Sequence, residues 1–175
     1  DSPKDGDSIM AIMEAIATTY LEADAANVTF SSIPATYEHL QIRGTLRGAV
    51  SGTLAIQLNS DTGSNYSRHQ IYGNGTTKSV NKNAGIAFMN IAYVGWIQES
   101  RAAYSAHTID LLDYANTNKN TSVMSSWGFS DHQISFNSQL WDDTSAVSTI
   151  KLYEAGAGAN FVRGSEFTLY GIKSS

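Results

Sequence analysis

Apolar residues recur at every second position along much of this chain. Leu40, Ile42 and Leu46 alternate with Gln41, Arg43 and Thr45, and after a Gly48–Gly52 turn Leu54, Ile56 and Leu58 alternate with Ala55 and Gln57. A period of two, bounded by Gly, Ser and Pro, predicts half-buried antiparallel strands. Further strands are predicted over His107–Tyr114, Thr121–Trp127, Ser148–Tyr153 and Glu166–Ile172. In His132–Trp141, Ile134, Phe136 and Leu140 alternate against Gln133, Ser135 and Asn137. Ile86–Trp96 is apolar on both parities and predicts a strand buried on both faces.

Two stretches are ambiguous. Ile9–Asp24 fits a helical stripe through Ile9, Ile12, Met13, Ile16 and Tyr20, yet Thr18-Thr19-Tyr20 favours extended chain, and a strand-like Val28-Thr29-Phe30 follows. A strand–turn–strand unit is the better reading. Tyr66–Tyr72 suits a strand or one helical turn, and Gly73–Gly85 reads as polar loop. Asp1–Ser8 is charged and turn-forming and predicts a flexible arm, able to lie on a neighbouring subunit. Residues 9–175 then form one all-β domain of nine or ten strands, an antiparallel jelly-roll-like β-sandwich.

Composition narrows the chemistry. The 175 residues contain no cysteine, which removes disulfides, thiol catalysis and thiolate metal sites. Charged residues are only 15%, and the eleven basic ones are scattered singly, so no stripe tracks phosphates and nucleic acid is not an expected partner. No apolar run reaches the roughly 18 residues of a membrane-spanning helix, and no basic-then-apolar leader is visible.

Catalytic signatures are missing as well. Gly-x-Ser-x-Gly, the Walker loop and Gly-x-Gly-x-x-Gly do not occur, and Gly73-Asn-Gly75 and Gly156-Ala-Gly158 read as turns. The four histidines, His39, His69, His107 and His132, form no i, i+4 pair. Two carboxylate pairs are near in sequence. Asp110 and Asp113 fall on opposite faces of one strand, and Asp142-Asp143 sits in a turn, so neither frames a glycosidic bond. The expectation is a protein that is not an enzyme and needs no cofactor. Asn59, Asp61 and Asn65 space oxygens around Gly63 as calcium loops do, but without the closing Glu; a loop bonded to itself is the expected reading, and no metal is expected. Aromatic residues near strand ends, among them Tyr66, Tyr72, Tyr93, Trp96, Tyr104, Tyr114 and Trp141, suit either sugar stacking or protein contact.

Several blocks then carry a resemblance. SSIPATYEHLQIR from Ser31, NSDTGSNYSRH from Asn59, IYG from Ile71, IDLLDYAN from Ile109, Lys119, Leu140-Trp141, IKLY from Ile150 and FTLYGIK from Phe167 resemble a family of small structural proteins of tailed-bacteriophage virions, notably phages of cyanobacterial and other aquatic hosts. The resemblance implies a virion location and no catalytic residues. It leaves two expectations. One is a capsid decoration (cement) protein on the outside of the head, a homotrimer bound to the major capsid protein. The other is a receptor-binding or tail-fibre tip domain that holds host-surface carbohydrate. The candidate contact residues are Tyr66, Arg68, His69, Tyr114 and Trp141.

Overall fold

The computed structural model describes residues 12–50, 52–94, 103–129, 133–156 and 160–173. The expectations for Asp1–Ser8, Trp96 and His132 lie outside those residues. Twelve strands are described: β1 (Ile12–Tyr20), β2 (Asn27–Phe30), β3 (His39–Leu46), β4 (Gly52–Leu58), β5 (Tyr66–Gly73), β6 (Lys78–Ile86), β7 (Met89–Val94), β8 (Ser105–Leu112), β9 (Thr121–Phe129), β10 (Gln133–Trp141), β11 (Ile150–Ala155) and β12 (Glu166–Lys173). They form an eight-stranded sheet, β1-β12-β3-β8-β9-β10-β5-β6, and a four-stranded sheet, β2-β11-β4-β7. Every pairing is antiparallel. The protein is an all-β, jelly-roll-like sandwich.

The alternation read from sequence fixes which side chains meet between the sheets. Leu40, Ile42 and Leu46 of β3, Ile109 and Leu111 of β8, and Phe167 and Leu169 of β12 are buried. From the small sheet, Val28, Phe30, Leu54, Ile56, Leu58, Ile150 and Leu152 complete the same core. β1 is a strand, not a helix, and a bulge between Ala15 and Ala17 shifts its pairing with β12. Because β1 joins the large sheet and β2 the small one, the predicted strand–turn–strand unit is a crossing between layers rather than a hairpin. β3 and β4 part in the same way across the Gly48–Gly52 turn. Alternation reports that a strand has a buried face; it carries no information about the partner.

Three expectations are corrected. Gly73–Gly85 is not all loop, since β6 occupies Lys78–Ile86 and pairs with β5. The hairpin turns at Asn74, whose Oδ1 accepts from the backbone N–H groups of Thr76 and Thr77 while Gly75 takes φ 87°. β6 lies at the sheet edge and is largely exposed on both faces, so no alternation marks it. Ile86–Trp96 is also not one strand, because Ile86 ends β6 and a separate β7 begins at Met89.

The third correction bears most on function. In β10 the polar residues Gln133, Ser135, Asn137 and Gln139 face inward, while Ile134 and Phe136 are 59% and 56% exposed. Trp141 decides this, because it has the same parity as the four polar residues and is fully buried. A slip of one residue would bury Ile134 and Phe136 and expel Trp141. Two of the four inward polar residues find partners: Gln70 Nε2 donates to Ser135 Oγ (3.0 Å), Ser135 Oγ to the Ile71 carbonyl (3.1 Å), and Asn137 Nδ2 to the Ile91 carbonyl (2.8 Å). Gln133 Nε2 and both amide atoms of Gln139 are buried without one.

Candidate functional site

The residues singled out from sequence separate into a structural group and a surface group. Tyr66, Tyr114 and Trp141 are fully buried, which corrects their reading as contact residues. Each buries its ring and satisfies its polar tip inside the protein, as aromatic residues with a hydrogen-bonding end commonly do. Trp141 stacks on Tyr66 with ring centroids 6.5 Å apart and planes 16° from parallel. Trp141 Nε1 donates to Asp61 Oδ2 (2.7 Å). The Tyr66 hydroxyl accepts from the Leu58 N–H and donates to the Asp61 carbonyl, both at 3.1 Å. Burial pushes the Tyr66 hydroxyl up to about 12. Tyr114 donates to the Pro34 carbonyl and accepts from the Tyr37 N–H.

The loop after β4 is held by the same residues. Asp61 Oδ1 accepts from the Gly63 N–H (2.8 Å) and Oδ2 from Asn65 Nδ2 (2.9 Å). These bonds, that from Trp141 foremost, hold the Asp61 carboxyl below its usual range. Asn59 faces another way, its Oδ1 accepting from the N–H groups of Ser148 and Thr149 and its Nδ2 donating to the Ala146 carbonyl. Of the three oxygen-bearing residues that suggested a calcium loop, Asp61 and Asn65 are therefore bonded to each other and Asn59 to the Ala146–Thr149 segment.

Sequence spacing missed a different cluster. Ligand-type atoms of Glu38, His39 and Asp113 lie within 4.8 Å of one another. The Asp113 carboxylate is engaged by the Lys119 ammonium, which holds its carboxyl below the usual range. His39 Nδ1 accepts from the Asp113 N–H (3.0 Å). The cluster reads as an ion-pair clasp between the ends of β3 and β8. The other paired carboxylates are likewise engaged: Asp110 with Gln41, Asp142 with Asn120, and Asp143 with the Ser145 N–H.

Arg68 and His69 line a cleft of about 450 Å³ with Lys82 and Asn83. Arg68 Nη2 donates to Asn83 Oδ1 (3.0 Å), and its other amine to the Asn90 carbonyl (3.5 Å). Tyr66 and Trp141, by contrast, turn their rings into the core.

A larger groove of about 660 Å³ lies on the outer face of the eight-stranded sheet. The register builds it from two rows running across the strands. In one, Phe136, Ser126, Thr108, Arg43 and Thr168 are successive partners on β10, β9, β8, β3 and β12. In the other, Ile134, Gly128, Ala106, Thr45 and Glu166 follow the same strands. Small side chains fill the middle of both rows. Ile134 and Phe136 rise on one side; Arg43, Glu166 and Tyr170 stand on the other. The Arg43 guanidinium lies 5.8 Å from the Tyr170 ring centroid, and its Nε donates to Gln41 Oε1 (2.8 Å). None of these residues was a sequence candidate. The one available signal was the outward parity of Ile134 and Phe136, readable only with Trp141 as the inward anchor.

No protein-family model matches the chain, and no curated protein matches it by sequence. Among solved structures it is similar to the Caenorhabditis elegans galectin LEC-6, with a TM-score of 0.36 and 8% identity over 89% of this chain and 95% of that one. It is also similar to the alginate lyase Aly36B, with a TM-score of 0.41 and 7% identity over 97% of this chain and 82% of that one. A variant of that lyase in complex with an alginate tetrasaccharide gives 0.38 and 8%. These values carry no residue role from either protein to this chain.

Proposed function

We propose that the chain is a non-catalytic structural protein of a tailed-phage virion, a decoration protein that sits as a trimer on the outside of the head and contacts the major capsid protein. The blocks that resemble virion proteins support this reading, and they fall on the elements that hold the sandwich together: β3, the Asp61 loop, β11 and β12. The observation that carries it is the β5–β6 wing. Val80 and Ile71 are direct cross-strand partners, 72% and 55% exposed, on a strand pair whose outer member is the sheet edge. Exposed apolar cross-strand pairs beside a free strand edge are a liability in a solitary protein and an asset in an assembled one. Binding only the assembled, expanded shell would stabilise that state by mass action.

The test counts copies per particle and then perturbs the wing. Hundreds of copies are expected; a few dozen or fewer would sink the decoration reading. The double variant Ile71→Glu, Val80→Glu is expected to keep the unfolding midpoint of the parent and to lose most of its occupancy on purified heads. Unchanged occupancy would remove the wing from the interface. The second reading, a tail-fibre tip that holds host carbohydrate, is favoured by the outer-face groove rather than by the buried Tyr66.

A further inference from the structure

We propose that the outer-face groove is a saccharide site, which takes a linear, uncharged oligosaccharide across β10, β9, β8, β3 and β12. The inference does not depend on whether the protein occupies head or tail. It follows from what these five strands can offer a ligand.

All five are interior strands of the sheet. Their backbone N–H and C=O groups are engaged in ladders on both sides, so recognition falls to side chains alone. That argues against a peptide strand, which docks by adding to a free edge and donating backbone hydrogen bonds. The groove lies on the sheet face, away from both edges. Its centre presents the hydroxyls of Thr108 and Ser126, both half-buried, and of Thr45, which is exposed, over a floor left shallow by Ala106 and Gly128. Short hydroxyls both donate and accept, which suits a ligand whose own groups do the same.

The walls supply the second half of the chemistry. Phe136 and Ile134 offer exposed apolar surface on one side, and the Tyr170 ring stands on the other. A pyranose ring has one face of C–H groups that rests on such surface while its hydroxyls point to the polar floor. Charge selects within the class. Arg43 and Glu166 balance one another, so the lining favours neither a polyanion nor a polycation. A lipid tail is disfavoured by the hydroxyl floor, whose groups would lose their hydrogen bonds against hydrocarbon. The four strand spacings from Phe136 to Tyr170 span roughly 19 Å. That length calls for several linked sugar rings rather than one.

The test titrates the isotope-labelled chain with neutral tetrasaccharides of β-1,4-glucose, α-1,4-glucose and β-1,4-mannose, and with an oligogalacturonide as the anionic counterpart. At least one neutral probe is expected to shift the amide resonances of Thr45, Thr108 and Ser126 at micromolar to millimolar concentrations. Gly128→Val should close the groove without disturbing the fold. A Cβ at this position meets only Ile134 Cγ2 at 3.7 Å, an ordinary contact, and valine suits a strand. Gly128→Val and Phe136→Ala are each expected to weaken binding by about tenfold or more. Ser67→Ala, in the cleft beside Arg68, should leave it unchanged. The proposal is overturned if no neutral probe shifts those amides, if Gly128→Val binds like the parent, or if only the oligogalacturonide binds and Arg43→Gln abolishes that binding. The single wing variant Val80→Glu, separated from Phe136 by the intervening Ile71, should titrate as the parent does, which keeps this result separate from the outcome on phage heads.

Discussion

Replacing Trp141 by alanine is expected to lower the unfolding free energy by about 3–5 kcal/mol. For a chain of this size that corresponds to a fall in melting temperature on the order of 10 °C. The ring is fully buried at the end of β10 and stacks on Tyr66. Its truncation removes a large apolar surface and opens a cavity that two sheets cannot readily close. The loss extends further, because Trp141 Nε1 is one of three donors on the Asp61 carboxylate that shapes the loop before β5. Trp141→Phe separates the terms: it keeps most of the ring and loses the charge-assisted hydrogen bond, for an expected cost of about 2 kcal/mol. Asp61 has its folded-state carboxyl held below the unfolded value, so its contribution is present at neutral pH and is lost as the solution is acidified through the folded value. That acid sensitivity should shrink in Trp141→Phe. Denaturant titrations at neutral and acidic pH measure both effects. A change of less than about 1 kcal/mol for Trp141→Ala would show that the clamp is not what sets the register of β10.

The same residue explains much of what sequence pattern does and does not disclose. Leu40–Leu46 and Ile150–Leu152 read as strands with one buried parity, and they are, whereas Leu54–Leu58 reads the same way but is buried on both faces, Ala55 and Gln57 included. Their apolar side chains supply most of the burial, so pattern and energy agree. β10 breaks the rule, since its own alternation favours the opposite face. The decision is made at its terminus, where one tryptophan outweighs Ile134 and Phe136, while carbonyls on β5 and β7 accept from Ser135 Oγ and Asn137 Nδ2 further along the strand. β6 is invisible for a different reason: a strand exposed on both faces has no buried parity to report. Tyr66, Tyr114 and Trp141 looked like rim residues because they sit near strand ends. Only the tertiary structure shows that Leu58, Pro34 and Asp61 meet their polar tips. The groove was the least legible feature. Its ten row residues come from five strands between Arg43 and Thr168, and each is ordinary where it stands in the sequence.

Stability between about pH 3 and pH 8 should be nearly flat in its middle because two buried groups oppose one another. Glu154, on the inner face of β11, has neither carboxylate oxygen hydrogen-bonded, and burial pushes its carboxyl from 4.5 up to about 7. Its side chain occupies space left by Gly52, where a Cβ would stand 1.6 Å from Oε1. The folded state keeps its proton where the unfolded chain has released it. The stabilisation is therefore complete below pH 4.5 and is lost as pH rises through about 7, a change of roughly 3 kcal/mol.

His107 acts in the other direction. It is buried, stacked on Trp127 and bonded through Nε2 to Ser105 Oγ at 2.7 Å, and burial lowers its value from 6.5 to about 3. Here the unfolded chain takes up the proton first. The contribution is intact above 6.5 and is lost as pH falls toward 3. Between 4.5 and 6.5 the two slopes have opposite sign and largely cancel. Single variants should expose each slope. Glu154→Gln is expected to leave stability rising with pH up to about 6.5 and to exceed the parent most at about pH 8. His107→Phe is expected to leave stability falling from about pH 4.5 to pH 7. Urea midpoints across this range provide the measurement. If Glu154→Gln has the same pH profile as the parent, the buried carboxylate is not protonated in the folded protein. In that case the end of the sandwich where β11 meets Gly52 must admit water to it.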